Sequence, residues 1–529
     1  MMIHKLLIIS LLSILFSNCE SVKEYNYNLT QPISVKKLQK DIDFTQRKLN
    51  RFYPNLYGYI SKKDLDFKFD SIRKVVNKPL TSKEFFFIIS PLIASVRQGH
   101  MTMGPVFPKL SKKVIKEHKK VGFGPLSKFE FEWENDKLFV IKINSENKKI
   151  RLGTEVISIN QIKPHEIYNK YRNSITSDGF NKTFIRKFFS IKFKSFLINE
   201  IGLKDSLNFV FKYKDSVYEQ FISRNKINKT LVANVKAKDS IKKDSKNIIN
   251  KMKLKKVALQ KKIFGYDNNN KEYLRRLSYF EKDSTVAMIR IKKFSGGKFN
   301  KAYNVLFDSI KNKKCKSLIL DLRDNPGGSL NDIENLNSYL TDKEFRISQP
   351  PIVASKTSLF QAKVYKFIPK ISYPIAAVLY PLYLGFTYFS TTKNKAGEYQ
   401  SFWLNPGKKI NAKNYFDGKL YVLINGGSFS ASCVLSSSLK SNPNVVFVGE
   451  ETGGAFNGTV AGLMPKVILP NSKISFNIGL MNIKPINQTE ITGRGIFPDF
   501  EIPLTVEDKV NKKDPQLDWI LKDIKNKGI

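Results

Sequence analysis

The serine-rich stretch INGGSFSASCVLSSSLK, residues 424–440, lies where an apolar run gives way to helix-like sequence. A serine at the N-terminus of a helix gains from the helix dipole and from unpaired backbone N–H groups. Most serines in this position only cap the helix. Ser428 and Ser430 fit the turn between the two elements, whereas Ser432 is expected inside the helix. One of the first two is therefore a candidate nucleophile, provided that a base accepts its proton.

A second glycine-rich turn, LRDNPGG, follows the apolar run SLIL and contains Gly327 and Gly328. Loops at the carboxyl ends of strands form the site in α/β sheets. Glycines there let backbone N–H groups approach a ligand, and an oxyanion hole needs two such groups from different loops. Two ordinary tight turns are the alternative explanation. Neither turn continues into Gly-Lys-Ser or Gly-Lys-Thr, which excludes a phosphate loop.

The segments that must position these turns differ in character along the chain. After residue 281, β-branched runs alternate with helix-like runs, which predicts a mainly parallel sheet covered by helices. Residues 126–225 alternate apolar and polar positions, which predicts a mostly β unit. We predict a signal peptide at 1–19, a helical segment at 20–125, the β unit at 126–225, a basic linker at 226–280, a catalytic domain at 281–505 and a C-terminal helix at 506–529.

The N-terminus has the features of an export signal. Lys5 precedes an apolar run from Leu6 to Phe16, which is too short to span a bilayer. Small and polar residues then lead to Cys19, as in a bacterial lipoprotein signal in which this cysteine carries the lipid. Cys315 and Cys433 lie in apolar surroundings, which predicts buried free thiols rather than a disulfide.

The net charge of +44 raises the question of nucleic-acid binding. The basic residues are mostly lysines spread through every segment, and arginine clusters, zinc spacings and paired aromatic motifs for bases are absent from the sequence. We therefore expect no nucleic-acid partner. Attraction to an anionic membrane surface, or a general lysine bias, accounts for the charge.

The stretch SYPIAAVLYPLYLGFTYF, residues 372–389, approaches the length of a membrane span but contains Pro374 and Pro381. Proline inside a helix removes a backbone hydrogen bond and clashes with the preceding turn. We therefore expect a buried insertion or a membrane-contacting hairpin rather than a span.

Four motifs in order, SLILDLRDNPGGSL, VLINGGSFSAS, VVFVGEETGG and GRGIFPDFEI, resemble the C-terminal processing (tail-specific) serine peptidases, which include the tricorn-type enzymes. The resemblance covers residues 282–520 well and implies a ClpP/crotonase-like catalytic domain, with the β unit as a PDZ-like domain. It implies that Ser430 is the nucleophile. It also implies that the oxyanion donors are the N–H of Ala431 and that of Gly327 or Gly328.

The identity of the base divides the family. One branch uses a lysine about 25 residues after the serine, and Ala455 occupies that place here. The tricorn-like branch uses an upstream histidine in a DGHT-like motif, and QGHMT supplies His100. An imidazole with an unperturbed pKa near ~6.5 suits the role. A structural histidine in the core is the alternative, and Lys466 and Lys473 are the competing bases.

The sequence departs from the tricorn-like pattern at two positions, which weakens the expected relay of hydrogen bonds from the serine through the histidine to a carboxylate. Gln98 stands where the motif usually has aspartate. The expected glutamate position holds Thr492, and Glu490 lies two residues earlier. Glu490 is therefore the candidate for orienting the imidazole.

The resemblance predicts an exported serine endopeptidase that acts on peptide bonds of envelope proteins or peptides, with no metal or organic cofactor. It is expected in the bacterial envelope, periplasmic or outer-membrane, and membrane-bound through lipid on Cys19. The alternative is a catalytically weakened peptide- or lipid-binding relative with the same fold. The oligomeric state stays open.

Overall fold

The computed structural model describes residues 21–144, 149–224, 246–280, 285–362, 369–404, 407, 409 and 412–528. Cys19 and the expected signal peptide lie outside these residues. The N-terminal part is helical, and four of its five helices begin at a serine or threonine whose hydroxyl accepts a backbone N–H. The helices are Val22–Thr30, Val35–Phe52, Lys62–Val75, Ser82–Ser95 and Lys112–Val121.

The second unit is a five-stranded antiparallel sheet in sequential order, and it occupies the predicted β unit. A helix covers one face, because Phe189 and Phe193 pack edge-on against Trp133 and Phe131 of the first strand. The strands are Phe129–Glu134, Lys137–Ile143, Glu155–Ile159, Ser206–Tyr213 and Ser216–Ser223, and the helices are Pro164–Tyr171 and Thr183–Ile201.

The third unit contains a six-stranded sheet, called here the central sheet. Five strands run parallel, and the edge strand Arg275–Phe280 is antiparallel to its neighbour. In spatial order the strands are Phe500–Glu501, Val445–Gly449, Lys419–Ile424, Ser317–Asp321, Val286–Ile291 and Arg275–Phe280.

Helices cover both faces of the central sheet. Leu318, Leu320 and Val422 face the main core, and Ile319 and Leu423 face the opposite side. The strands are buried on both faces, which explains their continuous apolar sequences. The helices of the main-core side are Phe299–Asn312, Leu330–Asn337 and Ala431–Lys440, and Pro515–Asn526 covers the other side.

Two smaller antiparallel sheets join distant parts of the chain. One has the order Met103–Gly104, Ser475–Asn477 and Lys466–Ile468, so it links the N-terminal part to the third unit. The other has the order Thr391–Lys393, Tyr399–Ser401, Ile352–Val353, Met481–Ile483 and Thr459–Ala461. Both sheets matter for the site described below.

The structure corrects two predicted boundaries. The segment 226–280 is not only a linker, because it contains the helix Lys246–Phe264, a two-stranded pair (Tyr266–Asp267 and Glu272–Tyr273) and the first strand of the central sheet. Its lysines and asparagines concealed that strand, whose outward positions are polar. The C-terminal segment is two helices, Val506–Asn511 and Pro515–Asn526, and the second belongs to the layers of the central sheet.

The apolar stretch 372–389 forms a single helix, Tyr373–Phe389, here called the apolar helix. It is neither a hairpin nor buried, since Val378 is 77% and Leu382 is 70% exposed. Pro381 lies inside it without ending it. No helix in the described part of the chain is both long and apolar enough to cross a membrane.

Candidate active site

Ser430 lies at the turn between the strand Lys419–Ile424 and the helix Ala431–Lys440. Its backbone has φ 58° and ψ −120°, a conformation that a residue with a side chain rarely adopts. Strain of this kind persists where the surrounding structure imposes it, and it is concentrated at functional sites. The Ser430 hydroxyl does not cap the helix, so it is available for another partner.

The neighbouring serines are fixed by other contacts. The Ser428 hydroxyl donates to the Leu322 carbonyl at 2.8 Å and accepts the Asn425 N–H at 3.1 Å. The Ser432 hydroxyl donates to the Asn325 carbonyl at 2.9 Å. Both side chains are fully buried. These two hydroxyls therefore hold the turn together and cannot reach a substrate.

His100 is the residue that meets the Ser430 hydroxyl. Its Nε2 lies 3.1 Å from Ser430 Oγ, although the two residues are 330 positions apart. The imidazole stacks on the Phe429 ring at a centroid distance of 4.7 Å, which fixes its plane. This separation is within the range in which a base accepts the proton of a hydroxyl.

Two contacts hold the loop that carries His100. Just after it, Met103–Gly104 pairs with Ser475–Asn477 and adds the chain to a sheet of the third unit. Just before it, the Gly99 N–H donates to Asp178 Oδ1 at 2.7 Å. The histidine is thus positioned by the third unit and by the loop that precedes the helix Thr183–Ile201.

The second imidazole nitrogen contacts Thr459, which in turn forms a hydrogen bond with Asp178. His100 Nδ1 lies 3.0 Å from Thr459 Oγ1, which donates to Asp178 Oδ1 at 3.4 Å. Asp178 also accepts the Ala455 N–H at 3.4 Å. If Nδ1–H donates to the threonine, Nε2 is left unprotonated and faces the serine. Neither Thr459 nor Asp178 carries a signal in the sequence, and only their position in three dimensions identifies them.

Burial changes the pKa values of His100 and Asp178, the two titratable groups in this series of contacts. It lowers the pKa of His100 to about 4. It raises the pKa of Asp178 to about 6, although the N–H donors of Gly99 and Ala455 act in the opposite direction. A charged imidazolium or carboxylate is costly in this setting, so His100 is neutral near pH 7. The unperturbed imidazole assumed from the sequence is therefore wrong.

The glycine turn lies directly against the serine. A methyl group on Gly327 would lie 2.8 Å from Ser430 Cβ and 2.7 Å from the Ala431 nitrogen. The Gly327 N–H already donates to Asn325 Oδ1 at 2.9 Å. Among the described residues, neither the Gly328 N–H nor the Ala431 N–H has a protein acceptor. The turn and the helix start thus offer two N–H donors without an acceptor among the described residues, one on the residue after Ser430 and one on the residue after Gly327.

The remaining candidates lie elsewhere. Glu490 is exposed and makes no described contact with His100, whose Nδ1 is occupied by Thr459. Lys466 is exposed on an edge strand, and the Lys473 ammonium donates to a backbone carbonyl three residues away. The structure therefore brings together Ser430, His100, Ala431 and the glycine turn, but not Glu490 or the lysines.

The two positions that depart from the tricorn-like pattern line a cavity behind Thr459. Gln98 is buried, and its Nε2 has no partner among the described residues. Together with Thr492, Thr459 and Lys484, it lines a space of about 140 Å³. No carboxylate lines this cavity. Gln98 and Thr492 therefore leave a cavity beside the His100–Thr459–Asp178 contacts that is lined by hydrogen-bond donors rather than by a carboxylate.

The buried cysteine near the serine does not compete for the role of nucleophile. Cys433 is a buried free thiol, as expected from the sequence, whereas Cys315 is only partly buried. Burial raises the pKa of Cys433 to about 12, and its thiol donates to the Ser428 carbonyl. A thiol held in its protonated form is a poor nucleophile.

A strained serine beside a neutral imidazole and unpaired N–H donors defines a serine-type hydrolase. The family comparison identifies it further: residues 285–502 match the model of peptidase family S41. The chain is therefore a serine-type peptidase, and residues 285–502, which lie within its predicted catalytic domain, are similar to family S41. Ser430, Thr459 and the glycine turn lie inside the matched region, whereas His100 and Asp178 lie outside it.

Solved structures share the fold over most of the chain. Mature CPAF complexed with lactacystin is 14% identical, with a TM-score of 0.57 over 92% of this chain and 97% of that chain. Mature CPAF alone is 14% identical, with a TM-score of 0.54 over 90% of this chain and 94% of that one. No curated protein matches the sequence. The mixed α/β fold expected from the sequence is thus confirmed.

Proposed function

We propose that the protein is an exported serine endopeptidase in which Ser430 is the nucleophile and His100 the base. The contact of 3.1 Å between His100 Nε2 and Ser430 Oγ is the observation that carries this proposal. Its substrates are peptide bonds of envelope proteins or peptides. Lipid on Cys19 tethers it to the bacterial envelope.

In the first half of the reaction, Ser430 Oγ attacks the carbonyl carbon of the substrate and its proton passes to His100 Nε2. The N–H groups of Ala431 and Gly328 donate to the oxyanion that forms, since the Gly327 N–H is already engaged. His100 then gives the proton to the leaving amine, and an acyl-serine remains. In the second half, His100 takes a proton from the water that attacks the acyl-serine. It returns this proton to Ser430 Oγ as the bond to the acyl group breaks and the carboxylic acid product leaves.

Thr459 and Asp178 act through His100 rather than on the substrate. The Nδ1–H donates to Thr459 Oγ1, and the threonine O–H donates to Asp178. This direction of donation keeps the imidazole in the tautomer that can accept the serine proton. Because a threonine replaces a carboxylate at Nδ1, the imidazolium gains less stabilisation than in an Asp-His pair.

The antiparallel sheet is proposed as a PDZ-like unit that binds an extended peptide by strand addition. Among the described residues, its edge strand Ser216–Ser223 has one sheet neighbour. Val217 and Phe221 on this strand are 62% and 66% exposed. An unpaired edge with apolar side chains is the feature that a peptide strand uses.

A fluorophosphonate probe tests the chemistry without knowledge of the substrate. The probe should label the protein on Ser430, and the label should be lost in Ser430→Ala. Cleavage of an unfolded protein at internal bonds, read by mass spectrometry of the products, then distinguishes an endopeptidase. Labelling that persists at full rate in Ser430→Ala, or a correctly folded wild type that neither reacts nor cleaves, rejects the proposal in favour of a binding protein.

Fractionation tests the anchor separately. Cys19→Ala should move the protein from membrane to soluble fractions without abolishing export. A wild-type protein that carries no lipid at its N-terminus overturns the anchor and leaves the peptidase proposal intact.

A further inference from the structure

The apolar helix has two different faces. Ala376, Tyr380, Tyr383 and Thr387 recur at helical spacing and lie on the less exposed side. Thr387 is fully buried. This side contacts the short helix Ser358–Gln361 and the strand that follows the apolar helix. The helix is therefore docked on the protein along one side.

The opposite side is an exposed apolar stripe. Its members recur along one side of the helix, and all are more than half exposed: Ile375 65%, Val378 77%, Leu379 52%, Leu382 70%, Phe386 54% and Phe389 79%. The stripe extends over four turns and contains no charged residue. Isolated exposed apolar residues are ordinary, but a continuous stripe of this length marks a surface that is covered by something apolar.

The charge around the helix identifies the kind of surface that covers it. The segment 345–416 contains ten lysines and arginines but only one acidic residue, Glu398. Lys393 and Lys395, just after the helix, are exposed. An apolar stripe flanked by cations fits an anionic lipid surface, where aliphatic and phenylalanine side chains enter the acyl region and lysines remain among the headgroups.

The helix is also joined to the site through a shared sheet. It continues into Thr391–Lys393, one edge strand of the smaller sheet that contains Ile352–Val353 and Met481–Ile483, and Thr459 lies on the opposite edge strand. Four strand spacings separate these edges, which is about 19 Å. Tyrosines near the two ends, Tyr373 and Tyr388, are of the type that resides at the bilayer interface.

From these observations we propose that the apolar helix lies in the plane of a bilayer rich in anionic phospholipid, with the stripe Ile375–Phe389 inserted in the acyl region. This contact is independent of the lipid proposed on Cys19. It goes beyond the proposed function, and its tests do not measure peptidase activity.

Vesicle flotation with the full chain measures the contact. All proteins carry Cys19→Ala, so that no lipid anchor contributes, and all share the same N-terminus. With vesicles of phosphatidylglycerol and phosphatidylethanolamine, Val378→Asp/Leu382→Asp should lower the partition coefficient about 100-fold, because two inserted side chains become charged. The matched control, Val217→Asp/Phe221→Asp, changes similarly exposed apolar residues on the edge strand Ser216–Ser223 of the second unit and should bind vesicles like its parent. Equal binding by all three proteins, or equal loss in the control, overturns the proposal.

Two further measurements separate the lipid surface from other occupants. Phe386→Trp should add fluorescence that brominated acyl chains quench, whereas a tryptophan placed by Val217→Trp should not be quenched. Lys393→Gln/Lys395→Gln should weaken binding to anionic vesicles about tenfold and leave the weak binding to phosphatidylcholine unchanged. If the Phe386→Trp fluorescence is not quenched, the helix is not inserted and the proposal is wrong. If the parent is a dimer in solution that Val378→Asp/Leu382→Asp converts to monomer, a second copy covers the stripe and the proposal is also wrong.

Discussion

The proposed nucleophile, Ser430, and the proposed base, His100, occupy two regions that are built in different ways. Ser430 belongs to a turn inside the S41 region, where strand, turn and helix follow one another within about 20 residues. His100 belongs to a loop outside that region, and contacts with residues 79 and 359 positions away hold it. The first region is defined by its own backbone, whereas the second depends on three parts of the chain meeting correctly.

The two regions also prepare their side chains for catalysis in different ways. The serine is presented by local strain and by neighbours such as Asn325, whose carbonyl accepts both the Phe429 N–H and the Ser432 hydroxyl. The imidazole is prepared by its surroundings, which lower its pKa and point Nδ1 at Thr459. Changes in the first region should therefore remove the chemistry, and changes in the second should tune it.

The largest expected effect comes from removing either member of the central pair. Ser430→Ala should lower the rate of hydrolysis of an unfolded protein by about 10⁴-fold or more, and His100→Ala by a similar factor, because the two residues act as one unit. The double variant should be no slower than either single variant. Alanine is compatible with the helix start, so near-wild-type thermal unfolding is expected for Ser430→Ala.

The competing lysines provide the matched controls for that result. Lys466→Ala and Lys473→Ala should retain at least half of the wild-type rate, since neither ammonium contacts Ser430. Substantial turnover by His100→Ala, combined with loss in either lysine variant, would show that the base has been misassigned.

The two regions also differ in how far the sequence predicted them. The serine could be located because glycine, strand and helix signals are adjacent in the chain, and the structure agrees on the element boundaries at Ile424 and Ala431. His100 came from a resemblance to a motif, not from periodicity. Asp178 and Thr459 are 281 residues apart and carry no local signal, so Glu490 was suggested in their place. The exposed stripe on residues 372–389 was likewise outside the reach of sequence, because apolar composition does not reveal which side is docked.

A smaller effect is expected from the residue that links the imidazole to Asp178. Thr459→Val keeps the shape of the side chain but removes the acceptor for Nδ1–H, so kcat should fall about 100-fold with KM nearly unchanged. Thr459→Ser restores a hydroxyl and should recover most of the rate. Glu490→Gln, at the position suggested by sequence, should change the rate less than twofold. A larger loss in Glu490→Gln than in Thr459→Val would contradict the relay described here.

A still smaller effect is expected within the nucleophile region itself. Ser432→Ala removes one hydrogen bond to the Asn325 carbonyl, which contributes about 1 kcal/mol to stability. The glycine turn should loosen slightly, so the hydrolysis rate should fall about fivefold and the free energy of unfolding by about 1 kcal/mol. The matched control is Ser436→Ala, on the same helix, because the Ser436 hydroxyl has no partner among the described residues. Its free energy of unfolding should equal that of the wild type. Complete loss of probe labelling in a folded Ser432→Ala variant would mean that Ser432, rather than Ser430, is the nucleophile.

The smallest expected effect is the response to mild acid. The base must be unprotonated, and a histidine with a pKa of about 4 remains largely unprotonated at pH 5.5. With an ordinary pKa near ~6.5, only about one-tenth of it would be unprotonated at that pH. Asp178, with a pKa of about 6, gains a proton as the pH falls through that value and ceases to attract the imidazolium. The rate of fluorophosphonate labelling should therefore fall only a few-fold between pH 7.5 and 5.5 in the wild type, with a shallow step near pH 6. Asp178→Asn should be slower throughout and lack the step, since its side chain does not titrate. A single steep loss of labelling rate with a midpoint near pH 6.5 in both proteins would show that burial does not lower the pKa of His100 and that the imidazole is exposed to water.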